Sequence, residues 1–157
     1  GVREALERGA IAGFPVVDLC VTLFDGSYHS VDSNEAAFKM AASLGMREGL
    51  PKCNPVLLEP IQRVDILIPT HYTSAVLQQV SGRRGQILSY GGFDERPGWD
   101  MVKALVPQAE MLRYLTELRT ATQGLGSYTA VHDHFELAPP KVVQTVTAAR
   151  KELAAAK

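Results

Sequence analysis

The chain has 157 residues, room for one ordinary domain or two small ones, and 46% of them are hydrophobic, which suffices for a packed core. A net charge of −1 excludes a uniformly basic nucleic-acid binder but still permits a local patch, with five basic against eight acidic residues in 1–59 and eleven against nine in 60–157. No apolar run approaches the ~18 residues of a membrane span, the N-terminus lacks a signal pattern, and Cys20 and Cys53 suggest neither a disulfide framework nor a zinc site, so a cytoplasmic chain with reduced thiols is expected.

Arg3 to Arg8 are helix formers with no capping residue ahead of them, as though an upstream segment were absent. From Phe14 to Phe24 the residues Val17, Leu19, Val21 and Leu23 recur with period two, which predicts a strand, and Asp25-Gly26-Ser27 supplies a turn. If earlier strands of this unit are missing, Val17 to Leu23 is left as an unpaired edge that invites a second copy. Asp32 as N-cap with Glu35 three residues on predicts a helix bearing Ala37, Met40, Ala41 and Leu44 on its apolar face, ended by Gly49 and Pro51. Val56-Leu57-Leu58 reads as a short strand, and Pro60 as the boundary between two units.

Beyond Pro60, Val64, Ile66 and Ile68 alternate as a strand, and Pro69 opens a helix carrying Tyr72, Val76 and Val80 that Gly82 closes. Gln86 to Tyr90 predicts the next strand, Gly91 to Gly98 a hairpin-type loop, and Trp99 to Val106 a third strand. Pro107 starts a second helix with Met111, Leu115 and Leu118 on one face; Gly124 and Gly126 break it, and Ser127 to Phe135 forms the last strand. Strand-helix-strand twice over is the split βαβ order of a ferredoxin-like sandwich. After Pro139-Pro140 a terminal helix turns Val142, Val143, Val146 and Ala149 toward the body.

The chain has no Gly-x-x-x-x-Gly-Lys-Ser/Thr loop, hence no backbone cradle for nucleotide phosphates, so it is not expected to bind or hydrolyse GTP by itself. Gly82-Arg83-Arg84-Gly85 and Gly124-Leu125-Gly126 are no substitute, since glycine beside a helix end serves left-handed backbone. His132 and His134, two apart on a strand, share a face and are a conceivable metal seed, but no further ligands converge and no metal site is assigned. No Ser-His-Asp or Cys-His arrangement can be placed, so no catalytic residue is assigned either. The turn Gly26-Ser27-Tyr28-His29 offers an aromatic, a hydroxyl and an imidazole, groups that stack on unpaired bases or reach RNA phosphate; an ordinary polar hairpin is the plainer account. Arg83-Arg84 and Arg119-Thr120 lie near helix ends, where a cation also complements the helix dipole.

Ala12-Gly13-Phe14-Pro15-Val16-Val17-Asp18 and Asp25-Gly26-Ser27-Tyr28-His29-Ser30-Val31-Asp32-Ser33 resemble the fourth domain of bacterial elongation factor G. Pro55 to Ile61 looks like that family's junction into its fifth domain, and the likeness continues through Arg83 to Leu88, Val106-Pro107, Ala109 to Met111, Leu118-Arg119 and Thr122 to Gly124. The resemblance implies an α+β chain: a partial ribosomal-protein-S5-like α/β unit over 1–59, then a ferredoxin-like βαββαβ sandwich with its C-terminal helix over 60–157. It implies a part of a GTP-driven translocase acting on transfer RNA and messenger RNA, with the ribosome as partner. GTP and Mg²⁺ belong, by the same implication, to a GTPase domain outside this sequence. Gly26, Ser27, Tyr28 and His29 correspond to the tip that reaches the decoding site, and Arg119, Thr120 and Gln123 to the positions facing a ribosomal RNA loop near the GTPase centre, with Arg83 and Arg84 as further candidate RNA contacts. Leu125 and Arg113 stand where the family has an arginine and a glycine, and the 91–98 loop is unusual, departures that resemble a divergent second copy. A recycling or ribosomal-protection factor of the same superfamily, or a metabolite-binding ferredoxin-like module, are the competing readings.

Overall fold

The computed structural model describes residues 1–9 and 11–155. The chain divides into two compact units, Gly1–Leu57 with Ala138–Lys157, and Leu58–Leu137.

In the first unit helix α1, Val2–Leu6, lies against α2, Glu35–Gly49, which runs on into a 3-10 turn, Leu50–Cys53. Lys39 ties the two together, its Nζ 3.2 Å from Glu4 and 3.1 Å from Glu35. The N-cap of α2 is Asn34, not Asp32: its Oδ1 accepts the Ala37 amide at 2.9 Å, satisfying one of the unpaired donors of the first turn. The buried face of α2 also differs from the expected one. Ala37, Met40, Ala41 and Leu44 are exposed, while Met46 and Leu50 are buried and Ala42 and Ser43 half-buried. Gly1, the N-cap of α1, lies close against α2 at Lys39 and Ala42, so α1 packs on that side of α2 and not on the apolar stripe. The strand expected from Phe14 to Phe24 does not form. Period-two alternation makes a strand only where a neighbour completes the hydrogen-bond ladder, and among the described residues this segment has none. Asp18 is left-handed, with φ 55°, and Leu23 and Phe24 are 89% and 93% exposed. Helix α5, Pro140–Ala155, half-buries Val142, Val143 and Val146 but leaves Ala149 exposed, and places the Arg150 guanidinium 4.5 Å from the Phe14 ring centroid.

The second unit follows the expected order: β1 Leu58–Pro69, α3 Thr73–Gly82, β2 Gln86–Gly92, β3 Trp99–Pro107, α4 Tyr114–Ala121 and β4 Ser127–Leu137. The sheet is antiparallel throughout with strand order β2-β3-β1-β4, the ferredoxin-like arrangement. Val64, Ile66 and Ile68 of β1 and Val102, Ala104 and Val106 of β3 form the inner face, sealed by Val76 and Val80 of α3 and by Tyr114 and Leu118 of α4. Pro60 lies inside β1, opposite Phe135 of β4, one residue before pairing with β3 begins at Ile61, so its missing amide costs no ladder bond on that side. On α4 it is Tyr114, 1% exposed, that enters the core, and Leu115, 40% exposed, that does not. A 3-10 turn, Gln108–Met111, precedes α4, so the buried positions step from Met111 by three to Tyr114 and by four to Leu118.

Both outer strands carry a bulge. In β2 Ile87 pairs with Ala104 and Ser89 with Lys103, leaving Leu88 without a counterpart; in β4 His134 pairs with Ile61 and His132 with Gln62, leaving out Asp133.

Candidate functional site

The loop before α2 is shaped by short-range bonds. Asp25 Oδ1 accepts the Gly26 amide at 2.7 Å, the His29 amide donates to Ser33 Oγ at 2.8 Å, and the Ser33 amide returns to the His29 carbonyl at 3.0 Å. His29 is thereby held at the base of a turn with its side chain 68% exposed. Its Nδ1 lies 3.4 Å from the Val31 amide, which it accepts when that nitrogen is bare, and 3.2 Å from Asp32 Oδ2, to which it donates when protonated. Nε2 has no hydrogen-bond partner among the described residues, and Tyr28 is exposed beside it. The outward edge of the imidazole and the phenol ring are therefore open to stacking and hydrogen bonding.

The arginines near the ends of α3 and α4 look alike in sequence but not in surroundings. The Arg83 guanidinium donates from Nη1 to the Gln79 carbonyl at 2.9 Å, pairs through Nη2 with Glu117, and lies 4.9 Å from the Tyr114 ring centroid. Arg84, left-handed at φ 57°, forks onto Glu59 at 2.7 and 2.9 Å and reaches Glu110 from Nε at 3.0 Å. Glu59 is buried at the start of β1, so this fork supplies the countercharge a buried carboxylate needs. Glycine at 85 serves close approach and not left-handed backbone, for a Cβ there would stand 2.6 Å from Val80 Cγ1 and 2.7 Å from the Val80 carbonyl oxygen. Arg119, by contrast, is exposed on α4 with no ion pair among the described residues.

Around Arg119 the corner from α4 into β4 is closely built. Thr120 Oγ1 donates to the Thr116 carbonyl at 2.9 Å; Gln123 and Gly124 are both left-handed, with φ 53° and 86°, and the Gly124 amide donates to the Arg119 carbonyl at 2.7 Å. Arg119, Thr120 and Gln123 are all exposed on this corner. Of the two departures from the family pattern, Leu125 is exposed on the same turn and Arg113 immediately precedes α4.

His132 and His134 do not share a face. The bulge at Asp133 pairs them with adjacent β1 residues, which point to opposite sides of the sheet. His132 packs against Phe135, with ring centroids 4.8 Å apart and the planes tilted by 54°. The His134 ring lies between carboxylates, Nδ1 2.8 Å from Asp133 and Nε2 2.9 Å from Glu136, and Asp133 also receives Arg63 at 2.6 Å. The Glu136 bond, then the Asp133 bond, pushes the imidazole above its ordinary value, while the His134 bond draws the Asp133 carboxyl below the usual range. No cluster of three or more metal-ligating side chains occurs among the described residues.

Two features were not anticipated from the sequence. Asp100, buried on β3, accepts Thr70 Oγ1 at 2.9 Å and Thr73 Oγ1 at 2.6 Å, placing a carboxylate at the start of α3 where the helix dipole favours it. Thr122, fully buried at the end of α4, uses its hydroxyl twice, toward Leu118 and toward Gly126. Only the Thr70 and Thr73 hydroxyls next to Pro69 hint at the first.

Residues 56–146 match the family described as Elongation factor G C-terminus, and residues 1–54 match Elongation factor G, domain IV. The chain is similar to an "Elongation factor G-like protein" of Synechocystis sp., 56% identical over 141 residues, which are 90% of this chain and 21% of that relative. It also superposes on a protein of known crystal structure from Thermus thermophilus, with a TM-score of 0.82 and 38% identity, over 96% of this chain and 22% of that one.

Proposed function

This chain belongs to the elongation factor G family, and from that premise we propose that it is the ribosome-facing part of a translational GTPase that moves transfer RNA and messenger RNA through the ribosome. In this reading Gly26, Ser27, Tyr28 and His29 meet the decoding site, Arg119, Thr120 and Gln123 meet ribosomal RNA, and GTP and Mg²⁺ are handled outside residues 1–157. The same reading puts the protein in the cytoplasm; no helix among the described residues is long and apolar enough to cross a membrane.

The observation that carries the RNA contact is the contrast among arginines. Arg83 and Arg84 are neutralised by Glu117, Glu59 and Glu110, and the proposal gives them the internal task of fastening the end of α3. Arg119 keeps an exposed guanidinium with no carboxylate to satisfy it among the described residues, on a corner fixed by backbone bonds. Such a group gains most from a phosphate, which supplies the missing charge in a geometry that suits the guanidinium fork. The measurement is binding of this chain to bacterial ribosomes across a salt series. Arg119→Ala is expected to lower affinity about tenfold and to reduce the slope of log affinity against log salt by about one, the effect of one lost phosphate contact. An unchanged slope would remove the contact from the proposal. A recycling or protection factor would use the same corner, and is separated by whether the full-length protein supports translocation.

A further inference from the structure

The Thr122 side chain is 0% exposed, and its hydroxyl has one hydrogen to give and lone pairs to receive. It gives the hydrogen to the Leu118 carbonyl at 2.7 Å, inside the last turn of α4, and accepts the Gly126 amide at 2.7 Å, the residue before β4. One oxygen thus clasps the end of the helix to the beginning of the strand. Between the clasped points the chain reverses through two successive left-handed residues, Gln123 and Gly124, the first of them a conformation that side chains with a Cβ resist. The reversal is closed from the other side by the Gly124 amide on the Arg119 carbonyl. Glycine at 126 makes the clasp possible, since a Cβ there would stand 2.7 Å from Thr122 Oγ1 and 2.9 Å from Leu118 Cγ.

We propose that Thr122 is a positioning residue for RNA binding: its buried hydroxyl sets the relative placement of Arg119, Thr120 and Gln123. This rests on the reading that those three residues contact ribosomal RNA. Thr122 itself touches no ligand, being enclosed. It acts by fixing the left-handed crest that carries Gln123 and, through the Gly124 bond, the backbone of Arg119. A positioning role of this kind predicts loss of the contact even when the guanidinium is still present.

The test uses the full chain and bacterial ribosomes as the probe, with affinity measured against salt and melting temperature measured in parallel. Thr122→Val keeps the shape and removes the hydroxyl; it is expected to lose about tenfold in affinity and to flatten the salt slope as Arg119→Ala does. Thr122→Ser keeps the hydroxyl and is expected to bind within about twofold of the parent. Val80→Ala, a core change on α3 that leaves the bonds of the corner itself in place, should lower the melting temperature and leave the slope unchanged. If Arg119→Ala flattens the slope and Thr122→Val does not, Thr122 is merely structural and the inference is overturned. If Arg119→Ala itself leaves the slope intact, the RNA-contact reading fails instead. Should the valine variant not fold, a serine variant that folds but binds as weakly as Arg119→Ala overturns the inference equally.

Discussion

His134 shows what one side chain does when both of its nitrogens face acids. Bound to Glu136 and Asp133, the ring is favoured in its doubly protonated form, since only then do both nitrogens donate. The charged groups around it are held in turn: Arg63 of β1 pairs with Asp133, and Glu136 stands across from Glu59, whose carboxylate is held by Arg84, which also reaches Glu110. Because the folded protein raises the imidazole's value above the ordinary ~6.5, the contribution to stability is complete below that point and is lost as pH rises through the raised value. Melting temperature should therefore fall over that alkaline-side window, and His134→Gln should flatten the fall; an identical pH profile for the variant would show that His134 adds nothing. The same scale explains what sequence could not resolve among the arginines. Arg83, Arg84 and Arg119 all read as helix-end cations, and their differences come from Glu59, Glu110 and Glu117, which only the fold brings near them.

Elements were legible where alternation and a partner coincided. Val64, Ile66 and Ile68 read as one face of a strand and are one, because β3 and β4 flank them on either side. Phe14 to Phe24 carries as clear a pattern and forms no strand, because a ladder is a property of two segments and sequence shows only one. His132 and His134 defeat the pattern by the opposite route: the partner exists, but an inserted residue changes the period. The α4 face departs from its pattern because of the 3-10 turn, whose step of three shifts the register to Tyr114. That shift has a measurable consequence. Tyr114→Ala should destabilise the second unit by about 3 kcal/mol or more, and Leu115→Ala by under about 1 kcal/mol. Tyr114→Phe should be neutral or stabilising, since the buried phenol oxygen has no partner among the described residues and burial pushes its titration up. Denaturant midpoints that rank Leu115 above Tyr114 would contradict the observed packing.

For the molecule as a whole, the proposed contacts are divided between the two units, the tip loop in the first and the α4 corner in the second. In the full-length protein the two should therefore fail differently. His29→Ala is expected to slow single-round translocation at least several-fold while ribosome-stimulated GTP hydrolysis stays near the parent's rate, because the proposed task of this exposed imidazole is RNA contact and not nucleotide chemistry. Equal slowing of both steps would place His29 elsewhere in the cycle, and no slowing of either would make it an idle turn residue. The bulges at Leu88 and Asp133 bear on a different hazard. A sheet whose two rims each carry one residue out of step offers no straight template on which a second copy can zip up, so its rims resist fibril growth. If this chain does stick to itself at high concentration, the adhesive stretch is Val17 to Leu23, whose oily side chains stand in water with their backbone unspoken for among the described residues. Solubility would then be governed by a segment outside the sheet altogether.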